Sequence, residues 1–241
     1  MSDKRAATSS SSLSAHDAVK AFKRRKLHDQ ALREKIKEAG RMQLKKLGLL
    51  GKDLTSIQVD ALIRILCFRE NLFLQAPCGS GKSLVFLISL IQKRGIGIMV
   101  VPLRVIAQQY RDKAAKLGIV PTTLDELIVD GRDASAMACA LIVVSPEEIL
   151  QKLSLVKRIG KQITVVGFDE CRLCIHWGLD FRKDFIQLSR LTSSLPDAQF
   201  ILMDGSCTRY ARAQICRRLQ VRRLNDASYD IDPSHVTLRR N

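Results

Sequence analysis

Short runs of consecutive apolar residues, separated by longer amphipathic stretches, constrain this chain of 241 residues most strongly. The apolar runs cover 72–74, 97–101, 140–144, 163–168 and 200–203. The stretches between them suit helices, as in 83–92, 103–116 and 181–191. Because the apolar character is continuous rather than alternating, each strand should be buried on both faces. The pattern predicts an α/β fold in which helices cover a parallel sheet.

A glycine-rich string lies between the first apolar run and the next helical stretch: Ala76-Pro77-Cys78-Gly79-Ser80-Gly81-Lys82-Ser83. A strand, such a loop and a helix, in this order, form the context that a P-loop requires. Gly79 and Gly81 let backbone N–H groups and the helix N-terminus face phosphate oxygens. Lys82 supplies a charge for the β and γ phosphates, and Ser83 offers a hydroxyl to Mg²⁺. The string from Pro77 to Ser83 is therefore predicted to bind a magnesium-bound triphosphate.

The apolar run 163–168 ends in two carboxylates, Asp169 and Glu170. Ligands of a doubly wound sheet bind at the carboxyl ends of its strands, so this position favours a functional role. Asp169 is predicted to hold Mg²⁺, and Glu170 to orient or deprotonate the attacking water. An acidic pair after a strand gains this meaning because a P-loop precedes it.

The residues after the acidic pair carry a family resemblance. Asp169 and Glu170 are followed by Trp177-Gly178-x-Asp180-Phe181-Arg182, which resembles the Asp-Glu-Ala-His and Trp-Gly-x-Asp-Phe-Arg elements of RecQ helicases in superfamily 2. The string 54–58, with Gln58, resembles the Q-motif of that family, and 143–147, with Ser145, resembles its Val-Ser-Pro-Glu element. Val101-Pro102-Leu103 resembles a further turn of the family, so the likeness extends over about residues 50–220 in motif order.

The resemblance implies a RecA-like lobe that binds ATP and Mg²⁺ and couples hydrolysis to 3′ to 5′ DNA unwinding in repair or recombination. The resemblance also implies that Lys82 and Glu170 are catalytic residues and that Gln58 hydrogen bonds to the edge of the adenine base. It further implies that single-stranded or forked DNA is bound by four residues: Trp177, Phe181, Arg182 and Ser145. Aromatic rings suit this role because they stack on bases.

Four departures from the family pattern accompany the resemblance. Arg172 replaces the His of Asp-Glu-Ala-His, and Asp204-Gly205-Ser206 stands where relatives have Thr-Ala-Thr. These two sites couple hydrolysis to movement in the family. The aromatic and Arg that flank the Q-motif are not evident near 49–55, and no second lobe precedes the end at Asn241. A second lobe or a protein partner is therefore expected to supply the arginine finger, whose contribution is about 10³ to 10⁵ in rate.

The charge composition predicts that the chain binds a polyanion. The net charge is +16, and about half of the excess lies in residues 1–50, most densely at Lys23-Arg24-Arg25-Lys26. This run predicts a nuclear localisation signal or a phosphate contact, and a solvated helix face explains it equally well. Four segments are expected: a disordered tail (1–14), a basic helical extension (15–50), the lobe (51–225) and a C-terminal tail (226–241). No apolar stretch is long enough to predict a membrane span, and seven scattered cysteines favour free thiols.

Two other functions stay open at the sequence level. A truncated or degenerate helicase homologue could bind nucleic acid or regulate a partner without unwinding, which Arg172 and Asp204 favour and intact Lys82 and Glu170 oppose. An RNA helicase of the same superfamily is the third reading. The string 177–182 argues against RNA.

Overall fold

The computed structural model describes residues 19–20, 22–23, 25–26, 28–129, 139–173, 187–221 and 224–225. The predicted tails 1–14 and 226–241 lie outside these residues, as does the string 174–186 that carries Trp177, Phe181 and Arg182. The predicted division of the chain into four segments stays a prediction.

The described strands form one sheet in which every pairing is parallel. Their order is β3-β4-β2-β5-β6-β1-β7. The strands are β1 (Asn71–Gln75), β2 (Gly95–Val100), β3 (Val120–Thr122), β4 (Cys139–Val144), β5 (Ile163–Phe168), β6 (Gln199–Asp204) and β7 (Leu224–Asn225). Each of the five apolar runs became one strand, which confirms the predicted parallel sheet. The two strands without a predicted counterpart, β3 and β7, have only three and two residues.

Helices cover both faces of the sheet. They are α1 (Gln30–Lys46), α2 (Ser56–Cys67), α3 (Lys82–Lys93), α4 (Arg104–Lys116), α5 (Leu124–Val129), α6 (Pro146–Gln151), α7 (Leu153–Arg158), α8 (Ser189–Ser194) and α9 (Arg209–Leu219). One core cluster joins α1 to α4 with one face of the strands, and a second joins α5 to α9 with the opposite face. Strands buried on both faces explain why the apolar runs are continuous rather than alternating.

The basic helix α1 packs directly on this core. Asp29 caps its N-terminus by accepting a hydrogen bond from the Leu32 N–H at 3.1 Å. Gly40 is buried against Leu54, where any side chain would collide with the leucine. Arg41 pairs with Asp53 at 2.5 Å. The apolar stripe of α1 thus contributes to the same core as the sheet, while most of its basic residues are exposed.

Within the described part of the chain, no helix is long and apolar enough to cross a membrane. Six cysteines are described, and no disulfide joins any two of them. Cys171 is buried, and Cys174 lies outside the described residues.

Candidate active site

The phosphate loop and the acidic pair meet at the carboxyl edge of the sheet. The loop follows β1 and the acidic pair follows β5, with β6 between these two strands. Both segments are hydrogen bonded to the end of β6: the Ala76 N–H donates to the Asp204 carbonyl and the Cys171 N–H to the Met203 carbonyl, each at 3.1 Å. The sheet topology therefore brings together two segments that lie about 90 residues apart in sequence.

Two glycines shape the phosphate loop. Gly79 and Gly81 have φ angles of 79° and 80°, in the left-handed region that side chains disfavour. A Cβ on Gly81 would also lie 2.4 Å from Gln58 Nε2. Gly81 immediately precedes α3 and has no side chain to cap the helix, so the first N–H groups of α3 stay available to an anion.

Two polar side chains of the loop, those of Lys82 and Ser80, have no hydrogen-bond partner outside it among the described residues. Lys82 Nζ donates to the carbonyls of Ala76 and Pro77 at 2.8 and 3.2 Å. The buried Ser80 hydroxyl has no hydrogen-bond partner among the described residues. A phosphate could replace the lysine contacts and satisfy the serine, so this loop fits the predicted ligand.

Gln58 links α2 to the phosphate loop. Its Oε1 accepts from the Thr55 N–H at 2.9 Å, and Thr55 Oγ1 accepts from the Gln58 N–H at 3.3 Å, which forms a capping box. Its Nε2 donates to the Ser80 carbonyl at 2.9 Å. Both ends of the amide are therefore occupied by protein. An adenine contact, which stays a prediction, would use the second lone pair of Oε1 or require one of these hydrogen bonds to be exchanged.

The two carboxylates occupy a partly dehydrated position. The Asp169 N–H donates to the Val100 carbonyl at 3.0 Å, and the Glu170 N–H donates to Asp169 Oδ1 at 3.0 Å. Burial raises the pKa of Asp169, and its hydrogen bond from Tyr110 opposes the shift. The pKa of Glu170 is raised first by burial and then by the charges of Asp204 and Asp169. Bound cations would favour the ionised form of both groups.

Helix α4 contacts both predicted magnesium ligands. The buried Tyr110 donates its hydroxyl to Asp169 Oδ2 at 3.0 Å, and Lys113 Nζ donates to Ser83 Oγ at 3.2 Å. The two residues are three positions apart and share one face of the helix. Sequence reasoning missed both. The only sequence signal for them was their spacing: Tyr110 and Lys113 are three positions apart on a predicted helix, so both side chains point to the same side.

A second polar network joins the acidic pair to the end of β6. Asp204 is fully buried and its carboxylate accepts from the N–H groups of Arg172 and Ser206, at 2.8 and 3.0 Å. The Arg172 guanidinium donates to Ser206 Oγ at 3.1 Å and lies 3.6 Å from a Glu170 oxygen. The residues that depart from the family pattern therefore contact one another. A Cβ on Gly205 would lie 3.3 Å from Cys78 Sγ, so this network also packs on the phosphate loop.

Ser145 lies at the same edge of the sheet, after β4. Its hydroxyl caps α6 by accepting from the Glu148 N–H at 3.2 Å. The nucleic-acid role predicted for Ser145 stays a prediction, as do those of Trp177, Phe181 and Arg182, which lie outside the described residues.

The donor set at this edge suits Mg²⁺. Ser83 and Asp169 offer oxygen ligands, which hard divalent cations prefer, and Lys82 lies close enough to lower the pKa of Asp169 by its charge. Among the described residues no cluster of three or more His, Cys, Asp or Glu side chains is arranged to hold a metal on its own. Two protein oxygens and a triphosphate match the usual way in which Mg²⁺ is held with a nucleotide.

Several known proteins are similar to the chain. The ATP-dependent DNA helicase Q1 of Rattus norvegicus is 26% identical over 59% of this chain, and the ATP-dependent DNA helicase Q5 of Mus musculus is 26% identical over 76%. The ATP-dependent DNA helicase RecQ of Haemophilus influenzae is 24% identical over 61%. The matched regions span 25%, 20% and 25% of those proteins, so the matched part of the chain corresponds to a fifth to a quarter of their length.

Solved structures share the fold. A DEAD box protein from Methanococcus jannaschii aligns with a TM-score of 0.56 and 23% identity, covering 76% of this chain and 50% of that one. The Hef helicase domain of Pyrococcus furiosus aligns with a TM-score of 0.50 and 20% identity, covering 68% and 36%. These alignments confirm the predicted RecA-like fold. A model of the DEAD/DEAH box helicase family matches residues 55–211, which is more than half of the chain and includes the phosphate loop, the acidic pair and the end of β6. The chain therefore belongs to the DEAD/DEAH box helicase family.

Proposed function

We propose that this chain is the ATP-binding lobe of a RecQ-like DNA helicase, which binds Mg·ATP and couples its hydrolysis to DNA unwinding. One observation carries the proposal. Helix α4 hydrogen bonds to Ser83 through Lys113 and to Asp169 through Tyr110. The phosphate loop and the acidic pair therefore lie beside the same helix, where both can contact one ligand. The similarity to helicases Q1, Q5 and RecQ supports ATP and DNA as the substrates.

Each residue has a defined task in this proposal. Lys82 leaves the carbonyls of Ala76 and Pro77 and contacts the β and γ phosphates. Ser83 and Asp169 hold Mg²⁺, which when bound neutralises charge on the phosphates. Glu170 orients the water and accepts its proton, a role that its raised pKa suits because the base then lies closer to neutral pH.

The network of Arg172, Asp204 and Ser206 supports a route for coupling. It connects the residue that would act on water, Glu170, to the end of β6 through an ion pair and three hydrogen bonds. A change in the position of Glu170 would therefore move Ser206 and the segment that leads into α9. In this proposal the replacements preserve coupling with different chemistry.

The proposal extends to the biological setting. The basic run that includes Lys23, Arg25 and Lys26 suits nuclear import, and DNA as substrate suits repair or recombination. By resemblance the movement is 3′ to 5′. Fluorescence microscopy of the tagged chain, with and without substitution of this run, tests the nuclear assignment, and strand displacement on duplexes with 3′ or 5′ tails tests the polarity.

A test of the enzymatic proposal compares ATP hydrolysis in the presence and absence of single-stranded DNA. Wild type should hydrolyse ATP faster with DNA, whereas Lys82→Ala should not. Lys52→Ala, an exposed lysine away from the site, serves as the control. Equal DNA-stimulated rates in wild type and Lys82→Ala would exclude the enzymatic function. RNA of the same sequence as competitor separates the DNA from the RNA reading.

One observation favours a second function. Arg172 lies 3.6 Å from Glu170, and this ion pair could hold the base away from water. The chain would then bind nucleotide and nucleic acid without turnover. Arg172→Gln distinguishes the two: it raises the hydrolysis rate if the pair is inhibitory and lowers it if the pair serves coupling.

A further inference from the structure

A cleft of about 750 Å³ opens at the amino edge of the sheet, opposite the candidate active site. It lies where α2 leads into β1, where α3 ends, and where β6 begins. Its volume is in the range of small-molecule sites. Arg69, Lys93, Gln199 and Gln220 are among its lining residues.

Two cations of this cleft have no anionic partner among the described residues. Arg69 is exposed and Lys93 is partly buried. Burial and then the charge of Arg69 lower the pKa of Lys93. By contrast, the third cation, Lys23, pairs at 2.5 Å with Glu70, which is buried and also paired with Arg64 at 3.2 Å. An anion between Arg69 and Lys93 would relieve their repulsion.

Backbone strain and an unsatisfied acceptor occur at the same place. Arg69 and Gln220 have φ angles of 53° and 50°, and they are two of the four described non-glycine residues with positive φ. The buried Gln199 Oε1 has no hydrogen-bond partner among the described residues, although its Nε2 donates to the Ile65 carbonyl at 3.2 Å. Strained backbone and unpaired buried polar atoms are features that folding alone does not favour.

Helix polarity accounts for part of the pattern. Lys93 lies in the last turn of α3, where cations complement the helix dipole. The dipole does not explain why an arginine occupies the left-handed position after α2, where glycine is favoured. It also does not explain why two unpaired cations face one cleft that contains a buried acceptor. Asp197, an exposed acid of the cleft, forms no ion pair with either cation among the described contacts.

We propose that this cleft binds a phosphate monoester, with the Arg69 guanidinium and the Lys93 ammonium on the phosphate. A planar guanidinium can form two parallel hydrogen bonds to phosphate oxygens, and the ammonium adds a point charge. The phosphate has two sources, the terminal phosphate of a nucleic-acid strand or a free nucleotide. The site is separate from the phosphate loop, which lies at the opposite edge of the sheet.

The chain offers a matched pair of variants. Arg69→Gly removes the charge and relieves the left-handed backbone. Arg94→Gly does the same after α3, where Arg94 has a φ of 57° and is not among the cleft residues. Both substitutions place glycine where it is favoured, so both proteins should fold. Lys93→Gln removes the second cation, and Lys82→Ala reports on the phosphate loop.

The experiment is calorimetric titration of the full chain at low salt with thymidine 5′-monophosphate, thymidine, and trithymidylate with or without a 5′-phosphate. We expect phosphorylated probes to bind. Arg69→Gly and Lys93→Gln should each weaken binding about tenfold, the usual loss for one charged hydrogen-bond partner. Arg94→Gly should bind as wild type. The loss caused by Arg69→Gly should be the same in a Lys82→Ala background, in which binding at the phosphate loop is reduced. Binding of the phosphorylated trimer but not the monophosphate identifies a strand terminus, and binding of both identifies free nucleotide.

Acetylation of Lys93, followed by mass spectrometry, gives a second readout. A lysine with a lowered pKa is more reactive at pH 8 to 9, and a bound phosphate should protect it. The proposal is overturned if no phosphorylated probe binds, if unphosphorylated probes bind equally well, or if Arg69→Gly and Arg94→Gly have the same affinity.

Discussion

The phosphate loop and the Asp204 network lie side by side at one edge of the sheet, yet they are built in opposite ways. In the loop, Lys82 is held only by carbonyls of its own segment, and Ser80 has a buried hydroxyl without a described partner. In the network, the carboxylate of Asp204 accepts two backbone N–H groups at 2.8 and 3.0 Å. The groups proposed to act on a ligand keep replaceable partners, whereas the carboxylate proposed to take part in coupling is held by the protein.

The largest expected effect comes from the loop. Lys82→Ala should reduce DNA-stimulated ATP hydrolysis by about two to three orders of magnitude, because it removes a preorganised charge from the transferring phosphate. The unfolding free energy should change little, since the lysine is held only by loop carbonyls. Steady-state kinetics measure the loss of hydrolysis, and urea denaturation of the same preparation measures the free energy of unfolding. A large loss of stability would show that the loop is not built for exchange.

The opposite outcome is expected in the network. Asp204→Asn places an amide against two N–H donors and should lower the free energy of unfolding by about 1–3 kcal/mol, the cost of unsatisfied buried groups. Asp197→Asn, an exposed acid before the same strand, is the control and should leave it unchanged. Urea denaturation measures the difference. Equal stability of the two variants would contradict the structural role of Asp204.

Glu170 contacts the Asp204 network through Arg172, and its pKa can be changed by substitution of that arginine. The pKa of Glu170 is raised by burial, Asp204 and Asp169, and the Arg172 charge opposes the shift. Arg172→Gln should therefore raise this pKa further. Because the ionised form of Glu170 acts as the base, the acidic limb of the pH–rate profile should move to higher pH in this variant. Arg190→Gln, an exposed arginine paired with Gln187, should leave the pH profile in place, and a shift of the same size there would refute the assignment.

The smallest expected effect tests the contact of α4. Tyr110→Phe removes only the hydroxyl that donates to Asp169, so the apparent affinity for Mg²⁺ should fall several-fold, consistent with about 0.5–1.5 kcal/mol for one hydrogen bond. Tyr210→Phe, an exposed tyrosine of α9, should have no effect. Magnesium titration of fluorescent nucleotide binding gives the readout. An unchanged magnesium dependence would remove Tyr110 from the site.

Sequence reasoning reached the sheet and the phosphate loop because both are encoded locally. Continuous apolar runs specify buried strands, and glycines 79 and 81 favour a loop whose left-handed positions other residues adopt less readily. Sequence did not reveal Tyr110, Lys113 or the role of Asp204. Those contacts depend on which helix crosses which strand end and span 30 to 59 residues in sequence. In the sequence, Arg172 and Asp204 look like two separate losses of family motif residues. Only the structure shows that they are in contact, since the Arg172 N–H donates to the Asp204 carboxylate.

The measurement closest to the central claim is magnesium-dependent binding of a fluorescent ATP analogue to Ser83→Ala, Asp169→Asn and the double variant. The two side chains come from segments more than 80 residues apart, Ser83 after the loop and Asp169 after β5. If both hold one Mg²⁺ on one nucleotide, each single variant should weaken magnesium dependence and the double variant should add little, because the ligands act together. Independent, additive losses, or a normal magnesium dependence in Asp169→Asn, would contradict the shared site.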